Sequence, residues 1–518
     1  MSSAPSAVSV CQQRQRERRR RRASDGMVAS RAKRKGSPCQ QDDGSQGGET
    51  ELYSGPTLPE DIWNHIHSLM PVRDAARAAC VSHAFLRSWR RHPNLNFSNK
   101  ALGLKENEYG MDESDGFFYS TVEHILKMHS GIGVKRLKIQ ITSDYSAKGS
   151  CFFNRWLQTA VTPEIEELTL LLPTRTKYNF PCTLLSNGSG DSIQYLHLVE
   201  CSFRPTVMLG CLRSLTRLHL CFVRIKDDEL GCLLSRSLAL ERLEIRYCDE
   251  IVCLKVPCLL QQLRHLEVVA CSRLKVIHNE APSLSSSLFE GINKVQLLLG
   301  ETLHMKNLHM SRSGVIFYAR SELPSSMPNL ESLYIHSRYE RTHIPMLHSK
   351  FIHLKHLIIS LIVNGAPSSP AYDYLSLASF FDAAPSLETF DLRVCQIHMG
   401  HVSIFADPAD LRQMQGQHHH NLKSVKISGF CCAKSMMELA CNVLERVISL
   451  ECLILETPQS GVTCSHPGNN GKCTPLDRDI VMEGHRAVLA VKTYIEPKVP
   501  STVKLHVLGP CSCHDVEL

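Results

Sequence analysis

The sequence has no apolar run long enough to cross a membrane. Its longest candidate, around 357–363, is far shorter than the ~18–20 residues that a spanning helix needs. The N-terminus is polar and rich in arginine and has no apolar segment, which argues against a secretory signal. The 22 cysteines therefore do not indicate a disulfide framework, because thiols stay reduced in the compartments that remain.

Most of the chain also lacks an excess of positive charge. Of its 58 Lys and Arg residues, 11 lie in residues 1–50, together with 5 of its 51 acidic residues. The other 47 basic and 46 acidic residues leave a net charge of only +1 over 51–518. A protein that binds a polyanion across its surface needs a basic excess there. We therefore predict no specific nucleic-acid partner.

The charge that is present lies in an N-terminal arm. Residues 1–53 are rich in Ser, Gly, Gln and Arg and poor in large apolar residues, which predicts a disordered basic arm. The basic clusters 18–22 and 31–35 resemble a nuclear-localisation signal, with a solvated charge run as the alternative. We expect a protein of the nucleus and/or cytoplasm.

A short helical unit follows the arm. Apolar residues recur there at helical spacing, namely Leu58, Ile62, Ile66, Leu69 and Met70. Pro71 ends this run, and Asp74 and Ser82 are the predicted N-caps of a second and a third helix. Three helices in about 40 residues are close to the lower limit for independent folding. We expect this unit to bury one face against a partner.

The longer part of the chain repeats the unit apolar-x-x-Leu-x-apolar. Its copies are Val134-Leu137-Ile139, Ile165-Leu168-Leu170, Ile193-Leu196-Leu198, Leu215-Leu218-Leu220, Leu240-Leu243-Ile245, Leu263-Leu266-Val268, Ile292-Val295-Leu297, Leu330-Leu333-Ile335, Leu354-Leu357-Ile359, Leu387-Phe390-Leu392, Leu422-Val425-Ile427 and Leu450-Leu453-Leu455. Leucines 196, 218, 243 and 266 are 22, 25 and 23 residues apart, which is typical of leucine-rich repeats. Later spacings exceed 30 residues, so an irregular solenoid is predicted.

The cysteines support this register. Cys201, Cys248, Cys271 and Cys395 each lie eight residues after the first apolar residue of their copy. The repeat consensus has Asn or Cys at that position. We predict four thiols buried beneath the turn that follows each strand.

The chain beyond residue 429 has a different pattern. An amphipathic helix is predicted over 434–448 and a strand over 450–455. A loop rich in Gly, Pro and Asn extends to about residue 475. A second helix is predicted over 480–495, ending near Pro497, and a closing strand over 503–507.

Three groups of residues resemble known modules. Leu-Pro-Glu-Asp-Ile at 58–62 and Asp-Ala-Ala-Arg-Ala-Ala-Cys-Val-Ser at 74–82 resemble an F-box. The tracts 430–434, 485–489 and 500–505 resemble an FBD-type module. The chain is thus similar to plant F-box/leucine-rich-repeat/FBD proteins of the type common in grasses. The implied fold is α/β, with a disordered arm over 1–53, a three-helix F-box over 54–97, a leucine-rich-repeat solenoid over 98–428 and an FBD-type α/β cap over 429–518.

This resemblance implies a substrate-recognition subunit of an SCF-type ubiquitin ligase. The F-box would bind a Skp-type adaptor and, through it, cullin, while the repeats would hold a target protein. The F-box motif places the adaptor contacts at Leu58, Pro59, Ile62, Ile66, Leu69, Pro71, Val72, Cys80 and Val81. The alternative is that these residues only form the core of the three-helix unit.

The target would bind strand residues that alternate with the inward leucines. These are Arg217, His219, Arg242, Glu244, Arg246, His265, Glu267, Tyr334, His336, Asp391 and Arg393. Their mixed charges favour a protein partner over a polyanion. The alternative is a sheet face that is only solvated.

No catalytic constellation is recognisable, and we predict a non-catalytic protein without a cofactor or metal. A zinc site near the C-terminus is not indicated by the spacing of its candidate ligands. These candidates are Cys511, Cys513 and His514, together with Cys464 and Cys473. The run 418–420, His-His-His, is predicted to be a solvated loop. The alternative function is a leucine-rich protein-binding scaffold that acts independently of ubiquitin.

Overall fold

The computed structural model describes residues 58–81, 83–104, 111–141, 149–174, 177–186, 188–206, 209–291, 295–300, 303–338, 340, 350–363, 371–396, 400–406, 408, 411–414, 416–458 and 478–510. The range Leu58–Leu518 forms one compact unit. The predicted arm over 1–53 lies outside the described residues, as do Cys464, Cys473, Cys511, Cys513 and His514.

Three helices begin the described chain: α1 (Glu60–Ser68), α2 (Val72–Ala79) and α3 (His83–Trp89). Pro59 and Pro71 are the N-cap residues of α1 and α2, because a fixed φ suits the start of a helix. Asp74 therefore lies in the first turn of α2, where it favours the helix dipole, and its prediction as an N-cap was wrong. Ser82, the predicted cap of α3, lies outside the described residues.

The three helices are continuous with the rest of the unit. Val72, Ala75 and Trp89 are buried in the same core as the leucines of the repeats. The strand that follows α3 pairs in parallel with the first repeat strand. This small helical unit thus buries part of its surface against the repeats of the same chain.

Twenty strands follow within the described residues. In chain order they are β1 (Asn94–Phe97), β2 (Arg136–Gln140), β3 (Glu167–Leu171), β4 (Tyr178–Asn179), β5 (Tyr195–Val199), β6 (Cys201–Ser202), β7 (Arg217–Cys221), β8 (Arg242–Arg246), β9 (Cys253–Val256), β10 (His265–Val269), β11 (Val276–Asn279), β12 (Ser286–Glu290), β13 (Gln296–Leu299), β14 (Asn307–Ser311), β15 (Ser332–Arg338), β16 (His356–Val363), β17 (Thr389–Gln396), β18 (Ser424–Ser428), β19 (Cys452–Glu456) and β20 (Lys504–Leu508).

Fifteen of these strands form one parallel sheet, in the order β1-β2-β3-β5-β7-β8-β10-β12-β14-β15-β16-β17-β18-β19-β20. The register stacks the repeat leucines in rows, so that Leu218 lies beside Leu243 and Leu243 beside Leu266. Such a strand places alternate side chains on opposite faces. One face of the sheet therefore carries the core, and we call the other the open face.

A second layer covers the core face. Its α-helices, with bounds in chain order, are α4 (Asn99–Leu102), α5 (Met111–Met128), α6 (Gly149–Ala160), α7 (Asp227–Leu234), α8 (Val315–Ser321), α9 (Leu323–Ser326), α10 (Ser379–Ala383), α11 (Lys434–Arg446) and α12 (Arg478–Ala490). Shorter helical turns are Cys182–Leu185, Tyr374–Ala378, the π-helical Val491–Ile495 and Glu496–Lys498. Two small parallel sheets, β9-β11-β13 and β4-β6, complete this layer.

The predicted repeats are confirmed with one correction. Eleven of the twelve copies place their second and third residues in the main sheet. Leu297 instead belongs to β13 of the three-stranded side sheet, and Val295 directly precedes that strand. The main sheet has β12 and β14 in that part of the chain, with buried Ser287 and Met310 at core positions. The β12 copy escapes a leucine pattern because Ser287 stands at its leucine position, whereas the β14 copy, Met305-Leu308-Met310, fits the pattern and was not predicted.

A repeated bend follows the strands of the early repeats. Glu200, Phe222, Tyr247 and Ala270 each follow a strand directly and have positive φ, between 52° and 59°. The amide of Tyr247 donates to the carbonyl of Val269 at 2.8 Å, which extends the pairing by one residue before the chain turns away. The left-handed conformation is strained for these residues, so the neighbouring strand stabilises the bend.

Three of the four predicted thiols lie beneath such bends. Cys201, Cys248 and Cys271 are buried, and the Cys248 thiol lies 3.4 Å from the carbonyl oxygen of Arg246. Cys395 is exposed, so its predicted burial was wrong. The reason is that β17 continues to Gln396, and Cys395 is still part of the strand where the other repeats have already turned.

The last predicted elements are present and extend the same sheet. The helix predicted over 434–448 is α11, and the helix over 480–495 is α12 followed by the π-helical turn. The strands predicted over 450–455 and 503–507 are β19 and β20, which pair in parallel. The C-terminal part therefore continues the solenoid. Residues 459–475 of the predicted loop lie outside the described residues.

Candidate binding surfaces

The first helix carries an apolar stripe on its exposed side. Leu58, Ile62, Ile66 and Leu69 are three or four residues apart, a spacing that places side chains on one helix face. All four are exposed, and Leu69 is 73% exposed. Large apolar residues grouped on a surface mark a site of contact.

The opposite side of α1 packs into the chain. His67 is buried and stacks on Phe85, with ring centroids 4.7 Å apart. Trp63 meets the same Phe85 ring edge-on at 4.9 Å. Burial, with a smaller effect from His92, lowers the pKa of His67. Since this side supplies the internal contacts of α1, the apolar stripe is left available for a partner.

Eight of the nine predicted adaptor contacts are exposed. They are Leu58, Pro59, Ile62, Ile66, Leu69, Pro71, Cys80 and Val81. Val72 differs, because it is only 3% exposed and belongs to the core. Val72 therefore fits the alternative that these residues only form the core of the helical unit. Leu69 and Val81 do not fit it, since Val81 is 83% exposed and Leu69 is also on the surface.

All eleven predicted target contacts lie on the open face. They are Arg217, His219, Arg242, Glu244, Arg246, His265, Glu267, Tyr334, His336, Asp391 and Arg393. The register aligns them in rows across the strands, for example His219 beside Glu244 and Glu244 beside Glu267. The structure separates them into one group on β7, β8 and β10 and another on β15 and β17.

The first group is a cluster of opposite charges. Arg242 Nε lies 2.7 Å from Glu244 Oε1, and Arg246 pairs with Glu267. Burial alone would raise the pKa of Glu244, but the hydrogen bond from Arg242 and the nearby positive charges outweigh it and lower that pKa. The pKa of Glu267 is raised, because burial is the larger effect there. These charges largely neutralise one another within the chain.

Two histidines and a tyrosine extend this cluster toward β5. His197 and His219 stack with centroids 4.1 Å apart, and Arg217 lies over the Tyr195 ring at 4.6 Å. Burial, with the adjacent His219 as the next cause, lowers the pKa of His197 to about 4. Tyr195 and His197 were not predicted. They alternate with Leu196 in the same way as the predicted residues, so the repeat pattern contained the signal.

The second group is smaller. Arg393 lies 2.7 Å from Asp391, and the Tyr334 ring contacts His309 at a centroid distance of 4.1 Å. His336 Nδ1 is 2.9 Å from the hydroxyl of Ser360. This group combines an aromatic ring with polar groups, a composition that protein interfaces favour.

An aromatic pair lies at the bends next to the charged cluster. Phe222 and Tyr247 stack with centroids 4.4 Å apart and an interplanar angle of 3°, and each is 42% exposed. Both have positive φ and follow β7 and β8 directly. The repeat pattern does not predict this pair, because the pattern ends at the strand.

Two groups of side chains in the described part of the chain have the composition of a metal site. Glu244, His265 and Glu267 form one, and His401, Cys431 and Glu483 form the other. In the first group, guanidinium groups already neutralise both carboxylates, which disfavours a cation. Among the described residues, no helix combines the length and the apolar character that crossing a bilayer requires.

The chain matches two family models. The F-box domain matches residues 56–97, which include the apolar stripe of α1. The LRR domain of the At1g61320/AtMIF1 type matches residues 125–512, which include most of the main sheet. The chain belongs to the plant F-box/LRR/FBD family.

Curated relatives of this F-box/LRR/FBD protein come from Arabidopsis thaliana. The FBD-associated F-box protein At3g52670 is 24% identical over 241 residues, which are 46% of this chain and 54% of the relative. The F-box/FBD/LRR-repeat protein At1g78750 is 25% identical over 211 residues, 39% of this chain and 44% of the relative. The chain thus spans about half the length of these relatives.

Proposed function

We propose that this F-box protein is a non-catalytic substrate-recognition subunit of an SCF-type ubiquitin ligase. Its F-box would bind a Skp-type adaptor and, through it, cullin, while the open face of the sheet would bind a target protein. The observation that carries the proposal is the exposed apolar stripe of α1 within residues that match the F-box domain.

The adaptor surface would consist of the stripe and the end of α2. Leu58, Ile62, Ile66, Leu69 and Val81 are all exposed large apolar residues. Complete burial of one such side chain is worth about 1.5 to 3 kcal/mol. Burial of the exposed parts of five of them would supply a large share of the about 8 kcal/mol that a micromolar Kd represents, and further contacts would offset the cost of association.

The target surface would be the open face. Its charges are paired within the chain, as in Arg242–Glu244 and Arg393–Asp391, so it has no excess of one sign that would select a polyanion. Exposed aromatic rings such as Tyr247 lie beside the charges. Aromatic residues with paired polar groups suit a protein partner.

The adaptor proposal is tested by binding of the full chain to a purified Skp-type adaptor. Leu58→Ala combined with Leu69→Ala should weaken binding at least about tenfold, because each lost apolar contact costs about 1 kcal/mol. The matched control is Leu238→Ala, an equally exposed leucine between α7 and β8. An adaptor that does not bind the unmodified chain contradicts the proposal and leaves the ubiquitin-independent scaffold.

The same proposal includes location in the nucleus and/or cytoplasm, where the ligase would meet its targets. The basic clusters 18–22 and 31–35 support it. Replacing the five arginines of 18–22 by serine should reduce nuclear accumulation of a fluorescently tagged chain while its binding to the adaptor stays unchanged. Unaltered distribution of that variant would contradict a localising role for this cluster.

A further inference from the structure

Three segments of the chain meet at the end of the repeats. They are the residues 400–406 after β17, the turn 429–433 after β18, and helix α12. Backbone hydrogen bonds connect the first two, from Ile404 to Cys432 and from Lys434 to Val402, each 2.9 Å long. The backbone amide of Cys432 donates to Glu483 Oε1 of α12 at 2.7 Å. The position of each segment is thus set by the other two.

This junction brings together side chains that ligate metals. A nitrogen of His401, the sulfur of Cys431 and a carboxylate oxygen of Glu483 all lie within 4.8 Å of one another. His401 Nε2 is 3.2 Å from Glu483 Oε1 and 3.5 Å from the Cys432 sulfur. Cys431, Cys432 and Glu483 are each at most 4% exposed, and the His401 side chain is 8% exposed.

The separations match those of ligands around one ion. Zinc bonds of about 2.0 to 2.3 Å in a tetrahedron separate a nitrogen from an oxygen ligand by about 3.4 Å and from a sulfur ligand by about 3.6 Å. His401 Nε2 is 3.2 Å from Glu483 Oε1 and 3.5 Å from the Cys432 sulfur, and the Cys431 sulfur lies within 4.8 Å of the other two atoms of its group. A sulfur, an imidazole nitrogen and a carboxylate oxygen are also donors that zinc accepts more readily than calcium or magnesium does.

In the described part of the chain, hydrogen bonds engage both sulfurs of this cluster and leave one nitrogen of His401 without a partner. The amide of Gln396 donates to the Cys431 sulfur at 3.1 Å, and the hydroxyl of Ser403 lies 3.2 Å from the Cys432 sulfur. Yet Nδ1 of His401 is buried and has no hydrogen-bond partner among the described residues. Buried polar atoms of that kind are rare in a completed network.

Comparison with the other group of candidate ligands sharpens the assignment. At Glu244, His265 and Glu267, arginine side chains lie against the carboxylates. Among the ion pairs of the described residues, Glu483 has His401 as its partner, and a neutral imidazole is itself a metal ligand. The carboxylate of Glu483 is therefore available to a metal ion. On the open face, by contrast, arginines already neutralise the carboxylates.

We propose that His401, Cys431 and Glu483 bind a thiophilic divalent cation of the zinc type, with the Cys432 sulfur beside them at 3.5 Å from His401 Nε2. The three ligands are almost wholly enclosed, so the ion is structural and is not reached by a substrate. It joins helix α12 to the last repeats, and it stabilises the end of the solenoid. This site is independent of the adaptor-binding and target-binding surfaces.

The full chain tests this directly. After removal of metal with a chelator under reducing conditions, the chain is titrated with Co²⁺ and then Zn²⁺. We expect a thiolate-to-cobalt charge-transfer absorption that saturates at a single ion per chain and disappears when zinc displaces cobalt. The unmodified chain should also have a higher Tm with zinc than without it.

Variants distinguish this site from other cysteines, including those outside the described residues. Cys431→Ser and His401→Asn should each lose the cobalt absorption or the retained zinc, and with it the rise in Tm. The matched control is Cys441→Ser, a buried cysteine of α11 outside the cluster, which should bind metal as the unmodified chain does. If either ligand variant fails to fold, the unmodified chain still decides through its own spectrum. Absence of the charge-transfer band, or an unchanged metal content in both ligand variants, overturns the proposal.

Discussion

At the scale of single residues, one position of the backbone requires a residue without a side chain. Gly429 follows β18 directly and has φ of +76°. A Cβ at this position would overlap the carbonyl oxygen of Val394 on the neighbouring strand. A backbone oxygen fixed in a sheet cannot move away as a flexible side chain does. This glycine therefore lets the chain turn from β18 toward Cys431 and Cys432.

Gly429→Ala should be severely destabilising. The substitution combines the strain of the left-handed conformation, about 1 kcal/mol, with the steric overlap. We expect a loss in free energy of unfolding above the roughly 3 kcal/mol of ordinary substitutions, measured by urea unfolding. Gly314→Ala is the matched control, since Gly314 also has positive φ (+68°) but no atom within 4 Å of the added methyl group. Similar losses for the two variants would show that the overlap with Val394 is unimportant.

At the scale of elements, buried histidines connect successive repeats. The Nε2 atoms of His92, His129 and His419 lie 3.2, 3.0 and 3.0 Å from the carbonyl oxygens of Met70, His92 and Ala384. Their Nδ1 atoms accept amide hydrogen bonds from the residue two positions later in the chain. Each imidazole thereby joins the end of one element to the segment leading into the next. The prediction that 418–420 is simply solvated was wrong for His419.

This arrangement makes stability depend on pH. Burial is the main cause that lowers the pKa of all three histidines below the ordinary value of 6.5. As pH falls through 6.5, the unfolded chain takes up protons that the folded chain does not, so stability is full above that pH and decreases below it. Each histidine contributes up to about 1.4 kcal/mol per pH unit in that range.

His419→Gln should therefore reduce the pH dependence of unfolding as well as the stability itself. We expect a smaller difference between the urea midpoints at about pH 7.5 and about pH 5.5 than in the unmodified chain. His124→Gln, on the exposed surface of α5, should leave that difference unchanged. A variant at position 419 with the full pH dependence would contradict the role given to this imidazole.

The elements also show what the sequence could and could not predict. Leucine spacing found eleven strands of the main sheet, because a leucine that must be buried recurs wherever a strand crosses the core. It missed β12, whose core position is Ser287, and it took the side-sheet residues around Leu297 for a main strand. It also missed β14, although Met305, Leu308 and Met310 fit the repeat spacing. Spacing alone cannot tell which sheet a short apolar strand such as β13 joins.

The positions of the candidate binding residues were predictable to a similar degree. Alternation with the leucines placed every predicted target residue on the open face. The pairing of Arg246 with Glu267 was not predictable, because it depends on the register between β8 and β10. The junction of His401, Cys431 and Glu483 was missed for the same reason, as its residues come from segments up to about 80 positions apart in the sequence.

At the scale of the whole unit, one sheet connects both binding surfaces. The F-box helices precede β1, which is one edge strand of the main sheet, and β20 is the other edge strand. The open face extends between these edges, and its target residues begin at β7. In the proposed complex, an adaptor on the apolar stripe of α1 and a target on β7–β17 would therefore use different elements of one continuous core.

This separation predicts two classes of variants. The first class changes the open face, through Arg217→Glu together with Arg393→Glu at two exposed residues. This variant should change the set of proteins that accumulate near the chain when the proteasome is inhibited. Adaptor affinity should stay within about twofold of the unmodified chain, because contacts on distant elements are additive. Arg246→Glu is a poor probe by comparison, since it would leave the buried Glu267 without its partner and so destabilise the sheet.

The F-box variant Leu58→Ala with Leu69→Ala should have the opposite effect. It should lose the adaptor but keep the same set of neighbouring proteins, measured by proximity labelling with the proteasome inhibited. Under normal proteolysis, those neighbours should then live longer with this variant than with the unmodified chain, because they are bound but not ubiquitinated. If their lifetimes do not change, the chain binds proteins without directing their degradation. The protein would then be a binding scaffold that acts independently of ubiquitin. The two classes of variants together therefore distinguish a ligase subunit from a binding protein that has kept an F-box.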